Sequence, residues 1–261
     1  MEPKPPTTTA AYQLPRLEHF DPAVFLPKNK SEEDVCAFIL MLAHVYNDLR
    51  DVMFAYNLLY ENVPQGKPSK TAEWGNYSGL KLHVLRLIQA HFRETLQLIR
   101  GRREVLASPM FQAIIQSLSK RDKQCWATLV EAAEGTAGTP TNEFRVFLNE
   151  MRNKITSHYA GLDQILAGYR RKFFDPSGIK LQDAYISRGT CMAEHRFHFA
   201  DAAAEGFLTG QLAGKEEEFR QKMVEFARNI NEAIYSIVDK FIQNVRKTAY
   251  YVESEESSAR A

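Results

Sequence analysis

The sequence is poor in cysteine: Cys36, Cys125 and Cys191 are the only three in 261 residues. They are odd in number, widely spaced and without paired metal-ligand spacing, which argues against a disulfide scaffold or a zinc finger. Buried thiols in a reducing compartment are the expectation. Net charge is also nearly absent, with 33 Lys and Arg against 32 Asp and Glu. Nothing then draws the whole chain to nucleic acid or anionic membranes, and any such binding must come from a local patch. There is no long hydrophobic run either. The most apolar stretch, 36–45, is flanked by Glu32, Glu33, Asp34 and Asp48, and it falls well short of the roughly 20 residues that span a bilayer. The first residues carry acid and many prolines in place of a basic patch and apolar core, so no signal peptide is expected and the protein is placed in the cytoplasm, away from membranes. Nucleophile-elbow and dinucleotide fingerprints are missing. The segment 210–215 is one residue too short for a phosphate loop and has Glu216 where a hydroxyl is required.

What is present is helical periodicity. Hydrophobic residues make up 44% and charged residues 25% of the chain, a balance that supports a packed core. Residues 1–30 hold six prolines, among them Pro15, Pro22 and Pro27, and are expected as an extended arm that Phe20, Val24 and Phe25 can pin down. A single helical domain is expected over 31–251. Ser31 followed by acids reads as a helix start, with the stripe Phe38, Leu42, Val45, Leu49 and Val52 running to about Glu61. A second helix is read from about Ser78 to Val105, on Leu82, Leu85, Ile88, Phe92, Leu96 and Ile99. Shorter helices follow at about 109–118 and 120–134.

Thr141 is read as the cap of a helix bearing Phe144, Phe147, Leu148, Met151 and Ile155, and a further helix continues to about Phe174. Asp175-Pro176-Ser177-Gly178 is a turn, and alternation at His195, Phe197 and Phe199 suggests an irregular or β-hairpin insertion around 179–200. A long helix from about Lys215 to Tyr250 would reach roughly 54 Å. The polar residues 252–261 are expected to be disordered. The fold class is therefore all-α: a multi-helix bundle with long N- and C-terminal helices and a small insertion.

One segment carries chemistry: Met151-Arg152-Asn153-Lys154-Ile155-Thr156-Ser157-His158-Tyr159. Arginine forks two hydrogen bonds to phosphate, and histidine exchanges a proton near neutral pH. Ribose supplies its own nucleophile, so no cofactor or metal is required. The segment resembles the signature of the HEPN superfamily of helical proteins, an arginine followed four to six residues later by histidine, commonly with a polar residue after the arginine. The resemblance is close over these nine residues and loose over the helical order of about 31–174. It implies a metal-independent endoribonuclease or an RNA-binding relative, commonly a homodimer. By the same resemblance Arg152 sits on the phosphate, His158 moves a proton and Asn153 orients either. On an ideal helix Arg152 and His158 lie about 120° apart, so a bend or a second subunit is needed to bring them together.

Tyr159 is a candidate to stack on a base, and Arg170, Arg171 and Lys172 to track a phosphate backbone, as are Arg100, Arg102 and Arg103 with Lys120, Arg121 and Lys123. Against these stand plainer readings: tyrosine as packing, basic clusters as solvated helix ends, and Arg152 and His158 as structural partners. His44, His83 and His91 read as satisfied core or boundary residues. Cys191, His195 and His198 fall within eight residues, yet on a strand the two histidines face opposite ways and no fourth zinc ligand is evident. A metal enzyme on that cluster is the third reading. The second is a noncatalytic helical binding or scaffold protein with a partner or small-ligand groove.

Overall fold

A computed structural model describes residues 18–66, 71–135, 138–151, 162–188, 190–192, 195–212 and 214–250. Within them the chain is all-helical, as its periodicity predicts. The helices are α1 (Lys30–Glu61), α2 (Ala72–Arg100), α3 (Arg103–Ala107), α4 (Pro109–Ser117), α5 (Lys120–Glu134), α6 (Pro140–Met151), α7 (Leu162–Phe173), α8 (His198–Leu212) and α9 (Glu216–Lys240). No described helix is long and apolar enough to cross a membrane.

Short polar side chains set most starts. The Asn29 side chain, in place of the expected Ser31, accepts from the Glu32 amide at 3.0 Å and opens α1. Thr71 accepts from Trp74 and starts α2 at Ala72, ahead of the expected Ser78 and of the apolar stripe that begins at Leu82. Thr139 supplies the hydroxyl expected of Thr141 by accepting from the Asn142 amide. Ser108, with Pro109 behind it, opens α4, and Ser119 opens α5; each such cap is worth on the order of 1 kcal/mol. α5 stops at Gly135, whose φ of 70° is left-handed and costs glycine little.

Helices α1, α2, α5 and α9 pack around one core, with α6 laid across α2 and α5. Phe38, Leu42, Phe92, Ile99, Leu129, Ile230 and Ile237 are all buried in it. The described part of the expected arm, from residue 18 on, docks at one end. A short 3-10 turn (Pro22–Phe25) buries Val24, the Phe25 ring packs tilted against Phe241 with centroids 5.2 Å apart, and Phe20 meets Tyr250 edge-on.

The C-terminal helix is shorter than its pattern suggests. After Lys240 it relaxes into a π turn (Phe241–Val245), and 246–250 are not helical. Arg246 explains the stop. It leaves the helix to pair with Glu32 at 3.1 Å, donates to Cys36 Sγ and lies 5.4 Å from the Phe241 ring centroid. The regular helix spans about 38 Å.

The greatest departure lies at 174–212. The insertion expected around 179–200 takes its irregular form among the described residues, with two isolated antiparallel bridges, Phe174 with Lys180 and Ser187 with Arg196, in place of a hairpin. The turn at Asp175 forms as read, its carboxylate accepting from the Ser177 and Ile179 amides. His198, read as part of an alternating strand, instead begins α8, and of the 210–215 segment residues 210–212 end that helix while 214 and 215 precede α9. α7 and α8 form a tight pair. A β-carbon on Gly168 would overlap the Ala203 carbonyl oxygen, and one on Gly206 would overlap the Gly168 carbonyl oxygen. The same closeness recurs where α8 meets α2: Gly75 faces the His198 ring, and Gly79 faces the Arg196 and Asp201 side chains.

Candidate functional site

Arg152, Asn153, His158 and Tyr159 lie outside the described residues; the approach to them does not. α6 is anchored by Phe144 and Leu148, both buried, with Phe144 packed on Phe92 of α2 and Phe226 of α9. Three residues before Arg152, Asn149 accepts from Arg93 Nε at 2.9 Å. The Arg93 side chain is only 11% exposed and also pairs with Glu94, so a polar strut joins α2 to the last turn of α6. The chain thus reaches residue 152 from a fixed helix.

Of the basic candidates after the motif, two are engaged with α8. Lys172 Nζ pairs with Glu205 at 2.6 Å, and Arg171 donates to the Gly206 carbonyl while lying over Gly210. Arg170 is exposed. In the other clusters, Arg121 forks onto Glu232 and Lys123 donates to the Gln116 carbonyl, whereas Arg100, Arg102, Arg103 and Lys120 are exposed. The Arg121 fork holds the Glu232 carboxyl below its usual range.

The 191–198 cluster does not converge. His195 Nδ1 meets the Cys191 carbonyl at 2.7 Å, while His198 is buried, 2.6 Å from Ser187 Oγ and stacked on Tyr185. Among the described residues no group of three or more His, Cys, Asp or Glu could hold a metal ion. The Ser187–His198 contact has no carboxylate at its far side, where Nδ1 is buried without a partner against Gly75, so the pair reads as a clamp fixing the start of α8. Arg196 completes the clamp by bridging Asp201 and Asn76. Cys191 is exposed, unlike Cys36 and Cys125, because it sits on this irregular segment instead of a helix stripe. His44 and His83 are exposed for a similar reason, facing away from their helices' buried stripes, while His91 is half-buried.

A feature without a distinct motif lies between α1, α2, α8 and α9: a cleft of about 320 Å³, at the small end of ligand pockets. Met53, Leu85, Ile88, Leu208, Met223 and Val224 give it an apolar wall, while Lys81, Arg86 and Arg220 bring three cations and no described lining residue is an acid. Arg220 is tied to Glu217. Arg86 Nε and Gln89 Oε1 are buried without a hydrogen-bond partner. Each such group costs about 1–3 kcal/mol. The apolar wall was legible as helix stripe, but a cation on the edge of a stripe looks the same in sequence whether it is paired or not.

No family model, curated protein or solved structure matches the chain.

Proposed function

We propose that this is a HEPN-like helical protein acting on RNA, a metal-independent endoribonuclease that works as a homodimer. The observation that carries the reading is the run Arg152-Asn153 with His158, which follows a firmly packed helix in an all-helical chain. Arg152 binds the scissile phosphate, Asn153 orients it or the histidine, and His158 carries one of the proton transfers. The ribose 2′-oxygen attacks phosphorus and loses its proton. The bond to the 5′-oxygen breaks, that oxygen gains a proton, and the products are a 2′,3′-cyclic phosphate and a 5′-hydroxyl. General acid–base help and charge stabilisation of this kind contribute roughly 10²–10⁴-fold. Arg170, being exposed, is the member of its basic cluster best suited to an RNA backbone, with Tyr159 as a stacking surface.

RNA cleavage in the presence of a chelator is the test. Arg152→Ala and His158→Ala should each lose on the order of 10²-fold in rate while melting like the wild type. Unchanged cleavage by the double variant would remove both residues from the chemistry. A noncatalytic reading has one observation in its favour, the cleft with unpaired Arg86 and Gln89 groups, and the two functions are compatible in one chain.

A further inference from the structure

We propose that the cleft between α1, α2, α8 and α9 binds a single-chain amphiphile, its carboxylate head at Arg86 and Gln89 and its hydrocarbon tail along the apolar wall. This is independent of the Arg152 and His158 chemistry. Three observations point to one ligand class. Apart from its cations, Gln89 and the Tyr56 phenol, the wall is built of aliphatic and methionine side chains with the rings of Phe92 and Phe219, a surface that a hydrocarbon chain covers favourably. The described lining carries cations without acids, so the complementary head is an anion. Two buried atoms on lining residues are unpartnered and of opposite kind: Arg86 Nε, a donor, and Gln89 Oε1, an acceptor on a residue only 5% exposed.

A carboxylate answers the first, because a guanidinium N–H on a carboxylate oxygen is a strong, charge-assisted bond. A hydroxyl or amide N–H beside the carboxylate answers the second. Lys81, also on the lining, adds charge toward the same head. The modest volume favours one chain over a two-chain lipid. A nucleotide would set its phosphates and sugar against hydrocarbon.

The experiment is calorimetric titration of the full chain with β-hydroxydodecanoate, dodecanoate and dodecanol, the acids below their micelle-forming concentrations and the alcohol below its solubility limit. Both acids should bind, the alcohol at least tenfold more weakly, and the β-hydroxyl should tighten binding further. Arg86→Met should erase the preference for acid over alcohol, and Gln89→Leu the gain from the hydroxyl. Arg86→Met should also leave the ligand-free melting temperature unchanged or raised, since it removes an unpaired buried donor; a purely structural arginine would lower it. Equal binding of acid and alcohol, no binding of any probe, or an acid preference that survives Arg86→Met would overturn the proposal. So would a protein dimer that excludes the probes and is broken by Val224→Glu, which would assign the cleft to a second copy of the chain.

Discussion

Arg246 and Arg86 show how differently one side chain is used when water is withdrawn from it. Arg246 is matched by Glu32, whose carboxyl is held below its usual value first by the Lys28 amide and then by that arginine. Arg246 Nε, like Arg86 Nε, is buried without a partner, but both terminal nitrogens of Arg246 are engaged, whereas Arg86 lies against an apolar wall. The acids that carry lowered values, Glu32, Glu217, Glu218 and Glu232 against an ordinary 4.5 and Asp175 against 3.8, set the sign of the acid response. A carboxyl titrating lower in the folded than in the unfolded chain stabilises fully above its unfolded pKa and loses that contribution as pH falls toward its folded one. The urea midpoint should therefore hold from about pH 7 to about 5 and fall below about 4.5, and Glu232→Gln should shrink the fall; a midpoint that is flat or rising into acid would contradict these pairings. Thiol titration offers a second check at this scale. Burial pushes the Cys125 thiol up and Cys36 is enclosed, whereas Cys191 is exposed. One thiol should react quickly in the native protein, a Cys191→Ser variant should remove that fast phase, and a fast phase that survives the substitution would refute the assignment.

Among the elements, the α7–α8 pair depends on near-contact of two backbones. With Gly168 and Gly206 each facing the other helix's carbonyls, an added methyl must push the helices apart. Gly168→Ala should cost about 1–3 kcal/mol, lowering the melting midpoint by roughly 2–4 °C for each kcal/mol; Gly138→Ala, where a β-carbon would meet nothing within 4 Å but φ is 81°, tests backbone strain alone and should cost less. An unchanged midpoint for Gly168→Ala would mean the two helices are not so close. This pair also marks where the sequence becomes hard to read. The stripes of α1, α2, α5 and α9 are regular because each buries one face of a long helix, so periodicity finds them. α8 buries Ala203, Ala204, Gly206 and Phe207, and small residues chosen for close approach barely register as a hydrophobic stripe. The end of α9 is misjudged for another reason: Phe241 and Val245 keep helical spacing through a π turn, and only the distant partners of Arg246 reveal the exit. Of the candidate site, the arginine–histidine run is legible by chemistry, while the cleft is not, because it depends on which polar groups lack partners once four helices meet.

Taken whole, the molecule is a bundle whose core is supplied mainly by α1, α2, α5 and α9, with α6 fastened onto it by Phe144, Leu148 and the Arg93–Asn149 strut just before the motif. Loosening that strut should disturb the motif without unfolding the bundle: Asn149→Ala leaves Arg93 Nε without its acceptor and should cost about 1–3 kcal/mol in a chain that still folds, yet reduce RNA cleavage severalfold, and full activity would separate the strut from the site. The dimer proposed for cleavage predicts that sedimentation equilibrium yields twice the chain mass of 29.9 kDa. The most direct measurement is the chemistry of the RNA ends made by the wild-type chain in excess chelator. The ends should be 2′,3′-cyclic phosphates with 5′-hydroxyls, abolished by His158→Ala and by a single 2′-deoxy substitution at the cleaved position. Absence of cleavage, or cleavage that survives either change, would contradict it.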